Sequence, residues 1–247
     1  MQQYETAMDA AMLAAQTILE SSGETYRAED TARRMSMAFG FERAEILAFP
    51  TGFSISFYLP GGEVKTRVLR INDRAISLGA INSVNAISRK TAHGEINAEQ
   101  AYDALVALRK SPKPSPWRSV LAFGLSAGFF AVMFGGRVIE FLISFLIGLA
   151  LQALMPFYRR IHAPSPVVAL FSGAITALCA LVLIAAVGGN QEAIIAGGIM
   201  PLLPGIAMVN AIRDTLRGDL ISGLARGADA LLSAIMLAGG VAIVLIL

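Results

Sequence analysis

The sequence predicts a membrane protein with five transmembrane α-helices preceded by a small cytoplasmic α+β domain. Of its 247 residues, 55% are hydrophobic, and the mean hydropathy of +0.61 is too high for an ordinary soluble domain. Charge is unevenly distributed, because 27 of the 38 charged side chains lie in residues 1–118 and no lysine follows Lys113. A polar front part therefore precedes an apolar back part.

Net charge, cysteine content and the N-terminal sequence each bear on partners, disulfides and targeting. The net charge of +2 gives no indication of a nucleic-acid partner. The single cysteine, Cys179, excludes an intramolecular disulfide. The start MQQYETAMDA has neither a basic region nor an apolar core, so we expect no secretory signal and a front part that stays in the cytoplasm.

The middle of the front part has the two-residue period of β-strands. In TGFSISFYL, Phe53, Ile55 and Phe57 alternate with small or polar residues, which places one face of a strand on a core. The turn PGG leads to a partner strand in EVKTRVLRI, and residues 43–49 are a possible third strand. We expect a hairpin at the least.

Helical periodicity surrounds these strands. Helices are predicted over residues 4–21 and 28–39, around residues 76–87, and from a capping-box-like start at Asn97 to Arg109. Residues 1–110 therefore form the α+β domain. Residues 111–118, SPKPSPWR, contain three prolines and predict a stiff linker that is not helical.

The back part, residues 119–247, contains the membrane domain. A helix needs about 20 residues to cross about 30 Å of hydrocarbon. Five apolar segments approach this length: residues 119–134, 138–155, 167–187, 193–212 and 230–247. Basic residues concentrate before the first segment, between the second and third, and between the fourth and fifth. This alternation predicts a cytoplasmic N-terminus and a periplasmic or external C-terminus.

The sequence contains no enzyme motif in the structural context that the motif requires. GLSAG, Gly124 to Gly128, matches G-x-S-x-G but lies inside an apolar segment, where close helix packing explains it better than a nucleophile elbow does. The histidines have no metal-ligand spacing around them, and there is no phosphate-binding Walker loop. We expect a protein that is not an enzyme and that needs neither cofactor nor metal.

The fourth apolar segment carries an unusual sequence, IMPLLPGIAMVNAIRDTLRGD, and should be broken at residues 200–205. Pro201, Pro204 and Gly205 fall near the middle of the bilayer, where irregular backbone survives only beside protein or a water-filled cavity. In transporters, the N-terminus of such a half-helix binds substrate carboxylates. A simple packing kink is the alternative.

Polar residues follow the break at helical spacing. We expect Asn210, Arg213 and Asp214 to bind substrate together with the break. Arg226 and Asp229 are expected to form an interfacial pair. Glu140 and Glu192 are possible proton-coupling groups, although a solvated helix N-terminus is the default interpretation of both.

The segment GGIMPLLPGIAMVNAIRDTLRGDLISGLARGADALL resembles the signature region of the threonine/serine exporter (ThrE) family. The front part is similar to that family as well, in GETYRAEDTARRMSMAFGF, TGFSISF and TRVLRINDRAISLGAINSVNAIS. Fused members continue into a second group of membrane spans that this sequence lacks. The resemblance thus implies the split type, in which such a subunit pairs with a small YjjB-like membrane protein and is associated with succinate export.

These observations predict a subunit for secondary export of a small carboxylate or amino acid across the inner membrane, in a hetero- or homo-oligomer. Two other classes stay open. The spans could anchor a cytoplasmic domain that binds a ligand or partner, although an anchor has no use for a break at mid-membrane. An ion channel would need a symmetric pore, which the sequence of one chain does not reveal.

Overall fold

The computed structural model describes residues 2–111 and 115–247, and the chain divides into two compact units. The first unit contains Met1–Pro112 together with Ile206–Gly227. The second unit contains Lys113–Gly205 together with Ala228–Leu247. Residues 206–227 thus pack with the N-terminal part of the chain, although apolar segments flank them in the sequence.

A three-stranded antiparallel sheet lies in the first unit. Strands β1 (Arg43–Phe49), β2 (Gly52–Tyr58) and β3 (Val64–Arg70) are ordered β1-β2-β3, with Ile46 opposite Ile55. Alternate residues of β1 and β2 are buried, as the two-residue period of a strand requires. The predicted hairpin and the possible third strand are both confirmed.

Helices α1 (Gln2–Glu20) and α2 (Thr25–Ala38) pack against the strands, and α3 (Leu78–Ala92) and α4 (Ala98–Lys110) pack on these two helices. Helix α1 is rich in alanines that are fully buried, so neighbouring helices and the sheet approach it closely. Helix α4 begins with the predicted capping box, in which Asn97 and Gln100 each accept a hydrogen bond from the other's backbone N–H.

The second unit is helical and apolar. It contains α5 (Pro116–Met133), α6 (Val138–Arg160), α7 (Ser165–Val187) and α8 (Gln191–Ile199), and a short 3-10 turn follows at Met200–Leu202. Helix α9 (Gly205–Leu216) belongs mainly to the first unit, and α10 (Leu220–Ile246) passes from the first unit into the second.

Among the described residues, four helices are long and apolar enough to cross a membrane: α5, α6, α7 and α10. The interrupted pair Gln191–Leu202 and Gly205–Leu216 passes the same test jointly, which makes up to five spans if the pair counts as one. Large apolar side chains project outward along these helices, such as Phe129 at 62% and Leu178 at 55% exposed. This surface is typical of a membrane protein.

The helices extend beyond the predicted apolar segments. Helix α5 begins at Pro116, so the expectation that residues 116–118 are not helical is wrong; proline fits the first turn of a helix, where its missing N–H would have no partner. Helix α6 continues through Pro156 to Arg160. Residues 112–114 of the predicted linker lie outside the described residues.

Glycines allow α5 and α6 to pack closely. A side chain on Gly124 or Gly128 would overlap Leu149 or Phe141 of α6, and one on Gly148 would overlap Ala127 and the backbone of α5. The interpretation of GLSAG as a helix-packing motif is therefore confirmed.

Candidate functional site

The helix that starts at Gln191 is interrupted at the two prolines. Helix α8 ends at Ile199, Pro201 stands in the 3-10 turn, and α9 begins at Gly205. Between them, Leu203 is extended, with φ −64° and ψ 135°, because a residue that precedes a proline is kept out of helical conformation. The interruption is therefore a local consequence of Pro201 and Pro204.

Helix α8 ends inside the second unit. Ile194 is fully buried, and the Ser144 hydroxyl of α6 donates a hydrogen bond to its carbonyl oxygen at 3.2 Å. A side chain on Gly197 would overlap Ala127 and Ala131 of α5, and one on Gly198 would approach Thr176 of α7 to 2.7 Å. This short helix thus contacts three long apolar helices.

Gly205 lies on open space. A Cβ atom added there would meet no heavy atom within 4 Å, and the residue is exposed. Its N–H donates to the Leu203 carbonyl at 2.8 Å. The following N–H groups of α9 are in the first turn, where helix geometry provides no intrahelical partner.

The three polar residues predicted on α9 all contact the turn that leads from α1 into α2, which includes the first residues of α2, within the first unit. The Asn210 side-chain amide donates to the Ser22 carbonyl at 2.9 Å. The Arg213 guanidinium donates to the Glu24 carboxylate at 2.8 Å. Asp214, which is fully buried, accepts from the backbone N–H of Thr25 at 3.4 Å and from its hydroxyl at 3.3 Å.

Arg226 of α10 completes this cluster. Its Nε lies 3.0 Å from the Asp214 carboxylate, and its guanidinium donates to the Gly23 carbonyl at 2.7 Å. The side chain is only 4% exposed, so the protein encloses it, and the expected position of Arg226 at the membrane interface stays a prediction. A buried charge needs a partner, and Asp214 supplies it from α9.

Glu24 is the acidic centre of the turn. It is 5% exposed and accepts hydrogen bonds from Arg27 at 2.8 Å and 3.1 Å as well as from Arg213. Burial alone would raise the pKa of Glu24, but the bonds from Arg27, its own backbone and Arg213 outweigh burial and lower that pKa. The carboxylate therefore stays ionised at neutral pH.

The two candidate proton-coupling acids have different surroundings. Glu140 is 5% exposed and accepts backbone N–H bonds from Arg137 at 2.6 Å and from Asn190 at 2.8 Å, so the default expectation of a solvated group is wrong for it. Its carboxylate links the start of α6 to the residue that caps α8. Glu192 is exposed in the first turn of α8, as that expectation requires. A proton-coupling role stays a prediction for both.

Sequence reasoning did not identify the turn Ser22–Tyr26 as part of this arrangement. The contacts connect residues about 190 positions apart, and no local pattern predicts such a pairing. The stretch GETYRAED was noted only for its resemblance to a family. This resemblance is the one sequence feature that marks the stretch, and it does not indicate which contacts its residues make.

The first unit also contains a groove between α1, β3 and α4. Its volume is about 550 Å³, and charged lining residues include Asp9, Arg67 and Arg109. Arg67 is paired with Glu5 and Asp9, and Arg109 with Glu20 at 3.1 Å, so bonds within the domain already use these cations. Among the described residues, no cluster of three histidine, cysteine or acidic side chains could hold a metal ion.

Long apolar helices together with one helix interrupted among them are typical of multi-pass membrane transport proteins. Comparison with known proteins agrees with this class. Residues 9–247 match the family model ThrE, "Putative threonine/serine exporter". The chain belongs to this threonine/serine exporter family.

Three curated relatives match most of the chain. A "Probable threonine/serine exporter" of Mycobacterium tuberculosis is 24% identical over 91% of this chain, which spans only 43% of that relative's length. Two proteins named "Probable succinate transporter subunit YjjP" match 92% and 86% of the chain. The Escherichia coli protein is 25% identical over 89% of its length, and the Klebsiella aerogenes protein 23% over 83%. No solved structure matches the chain.

Proposed function

We propose that this protein is a subunit of a secondary transporter that exports small carboxylates, either threonine and serine or a dicarboxylate such as succinate, across the inner membrane. Membership of the exporter family supports transport, and the names of the relatives supply these two substrate classes. The observation that carries the proposal is the interruption at Met200–Leu203 after a helix that contacts three apolar helices.

The chemistry of the interruption suits an anionic substrate. The first turn of α9 directs backbone N–H groups and the positive end of a helix dipole at the break. Gly205 leaves this backbone uncovered, since open space replaces a side chain there. A substrate carboxylate bound at this point would receive several N–H donors without any cationic side chain.

Topology and partner complete the proposal. Five spans, counting the interrupted pair as one, would place the α+β domain in the cytoplasm and the C-terminus outside, in accordance with the positions of the basic residues. A YjjB-like membrane protein would supply the remaining membrane part. The word "subunit" in the names of two relatives supports this partner.

The test is efflux from cells that lack native exporters of these substrates and that express this chain with its partner. We expect Gly205→Leu to abolish efflux, because its side chain would cover the amides of the break. The double change Pro201→Ala with Pro204→Ala should do the same by restoring a continuous helix. Efflux is normalised to the amount of folded protein in the membrane.

Gly79→Leu is the matched control. Gly79 also stands in the first turn of a helix and also faces open space, but it lies in the α+β domain. If both variants at the break insert normally and export at the parent rate, the interruption is only a packing kink. Export by Gly79→Leu at the parent rate is required in either case.

A further inference from the structure

We propose that the turn Ser22–Tyr26 positions α9 for transport, and that Glu24 and Thr25 are its main positioning residues. The proposal rests on the proposed function, in which α9 begins at the substrate break. It assigns to the α+β domain a direct part in transport, since this domain would hold the helix that starts at Gly205.

Five consecutive residues of the turn each contact α9, the residue after it, or the start of α10. In chain order, the contacts are Ser22 with Asn210, Gly23 with Arg226, Glu24 with Arg213, Thr25 with Asp214, and Tyr26 with Arg217, whose guanidinium lies 3.6 Å from the centre of the ring. Backbone carbonyls, a carboxylate, a hydroxyl and an aromatic face all take part. These contacts together fix the position of α9 along its own axis and its rotation about that axis, relative to the α+β domain.

Burial makes this attachment hard to break. Asp214 is fully buried and Arg226 is 4% exposed, so separation of α9 and α10 from the turn would remove the Thr25 donors from Asp214 and the Gly23 acceptor from Arg226. The Glu24–Arg213 pair lies nearer to solvent, because the Arg213 side chain is 55% exposed. The turn therefore holds α9 through buried bonds at Thr25 and a more exposed ion pair at Glu24.

The shape of the turn is itself constrained. Ser22 has φ of +60°, a conformation that few residues other than glycine adopt. A Cβ atom on Gly23 would lie 2.6 Å from the Ile18 side chain, and the Gly23 N–H donates to the Ile18 carbonyl at 2.9 Å. Ile18 is fully buried in the core of the α+β domain. A displacement of that core would thus reach α9 through the turn.

The boundaries of the two compact units agree with this attachment. Ile206–Gly227 groups with the α+β domain, and the chain enters this unit after Gly205 and leaves it after Gly227. Neither glycine is enclosed: Gly205 faces open space, and a Cβ on Gly227 would meet only Ala211, at 3.8 Å. Residues 206–227 are therefore held by the α+β domain between two permissive backbone positions.

The first experiment measures whether the turn holds α9, without reference to transport. Asn210 is 6% exposed and contacts the Ser22 carbonyl, so Asn210→Cys in a Cys179→Ser background serves as a reporter for a membrane-permeant maleimide. We expect Glu24→Lys to increase the labelling rate at least fivefold, because it places a cation between Arg27 and Arg213. Glu20→Lys, which breaks the exposed pair with Arg109, is the control and should leave labelling unchanged.

The second experiment measures export with the same variants. Glu24→Lys should lower the maximal rate at least tenfold with less than a twofold change in KM, since Glu24 is not a substrate ligand. In the labelling experiment, the charge swap Glu24→Lys with Arg213→Glu should restore slow labelling. Thr25→Val, with Thr25→Ser as its matched control, provides the same comparison if Glu24→Lys does not accumulate in the membrane.

The outcomes separate the two proposals. Unchanged labelling in both Glu24→Lys and Thr25→Val would overturn the attachment. Fast labelling with export at the parent rate would overturn the positioning role. If the parent exports neither threonine, serine nor succinate, the proposed function fails, and labelling alone decides whether the turn holds α9.

Discussion

Glu24, which caps α2, and Glu29 within α2 show how the surroundings of a carboxylate decide its effect on stability. The pKa of Glu24 is lowered, because bonds from Arg27 and Arg213 outweigh its burial. The pKa of Glu29 is raised, chiefly by burial and further by the nearby charges of Asp219 and Asp214, although it accepts the Ala48 N–H at 2.9 Å. The same side chain therefore stabilises the fold at one position and opposes it at the other.

We predict opposite effects of Glu24→Gln and Glu29→Gln on thermal stability at pH 7.5. A lowered pKa in the folded state means that ionised Glu24 contributes stability above its unfolded pKa and loses it as the pH falls through the lowered value. Glu24→Gln should therefore lower the unfolding temperature at pH 7.5, with a difference that disappears in acid.

For Glu29 the sign is reversed. A raised folded pKa means that the protein loses stability as the pH rises from the ordinary carboxyl pKa through the raised value. Glu29→Gln keeps an oxygen for the Ala48 N–H and removes this loss, so its unfolding temperature should exceed that of the parent at pH 7.5. Thermal melts of purified protein between pH 4 and pH 8 check both variants, and a shift of the same sign in the two would contradict the assignment.

At the scale of elements, the crossing of α7 and α10 in the second unit depends on glycines. A Cβ on Gly240 would overlap the Leu170 carbonyl and lie 2.9 Å from the Ala174 nitrogen, whereas one on Gly239 would meet only the Leu170 side chain, at 4.0 Å. Gly239 and Gly240 are adjacent in the sequence, but the space beside their Cα atoms differs. Backbone atoms cannot move away as a flexible side chain can, so only Gly240 should be intolerant of substitution.

We predict that Gly240→Ala destabilises the protein by about 1–3 kcal/mol, the usual cost of overpacking, and that Gly239→Ala changes stability by less than about 0.5 kcal/mol. Unfolding temperature in detergent and the yield of folded protein are the measurements. Equal unfolding temperatures and yields for the two variants would contradict this prediction, because they would show that α7 and α10 can move apart at Gly240 without loss of stability.

The periodicity of side chains was sufficient to predict most elements of this fold. Phe53, Ile55 and Phe57 are buried as their alternation indicated, because a strand has only two faces. Helix ends were less predictable: α5 begins at Pro116, since a proline that ends one helix can equally begin another. The contacts of Arg226 could not be predicted, because only the folded chain brings Gly23 and Asp214 beside it.

At the scale of the whole molecule, the proposed function includes a second membrane subunit. The similar succinate transporter proteins are named as subunits, and this name implies a partner for them. The apolar surface of the long helices offers ample area for another membrane protein.

We predict that vesicles reconstituted with this chain alone export substrate at no more than a tenth of the rate of vesicles that also contain a YjjB-like protein. Counterflow of labelled succinate and of labelled threonine in the two preparations measures this. Equal rates would refute the requirement for a partner. The Gly205→Leu variant, reconstituted with the partner, provides the background rate.

The position of residues 206–227 in the first unit has a consequence for biosynthesis. The ribosome completes residues 1–110 about 95 residues before it reaches Ile206, a delay of roughly 5–20 s at about 5–20 residues per second. During this interval Glu24 and Thr25 have no α9 to bind, while α5, α6 and α7 are already being made. The α+β domain therefore reaches its final form only after much of the apolar chain has been synthesised, so that its maturation follows membrane insertion.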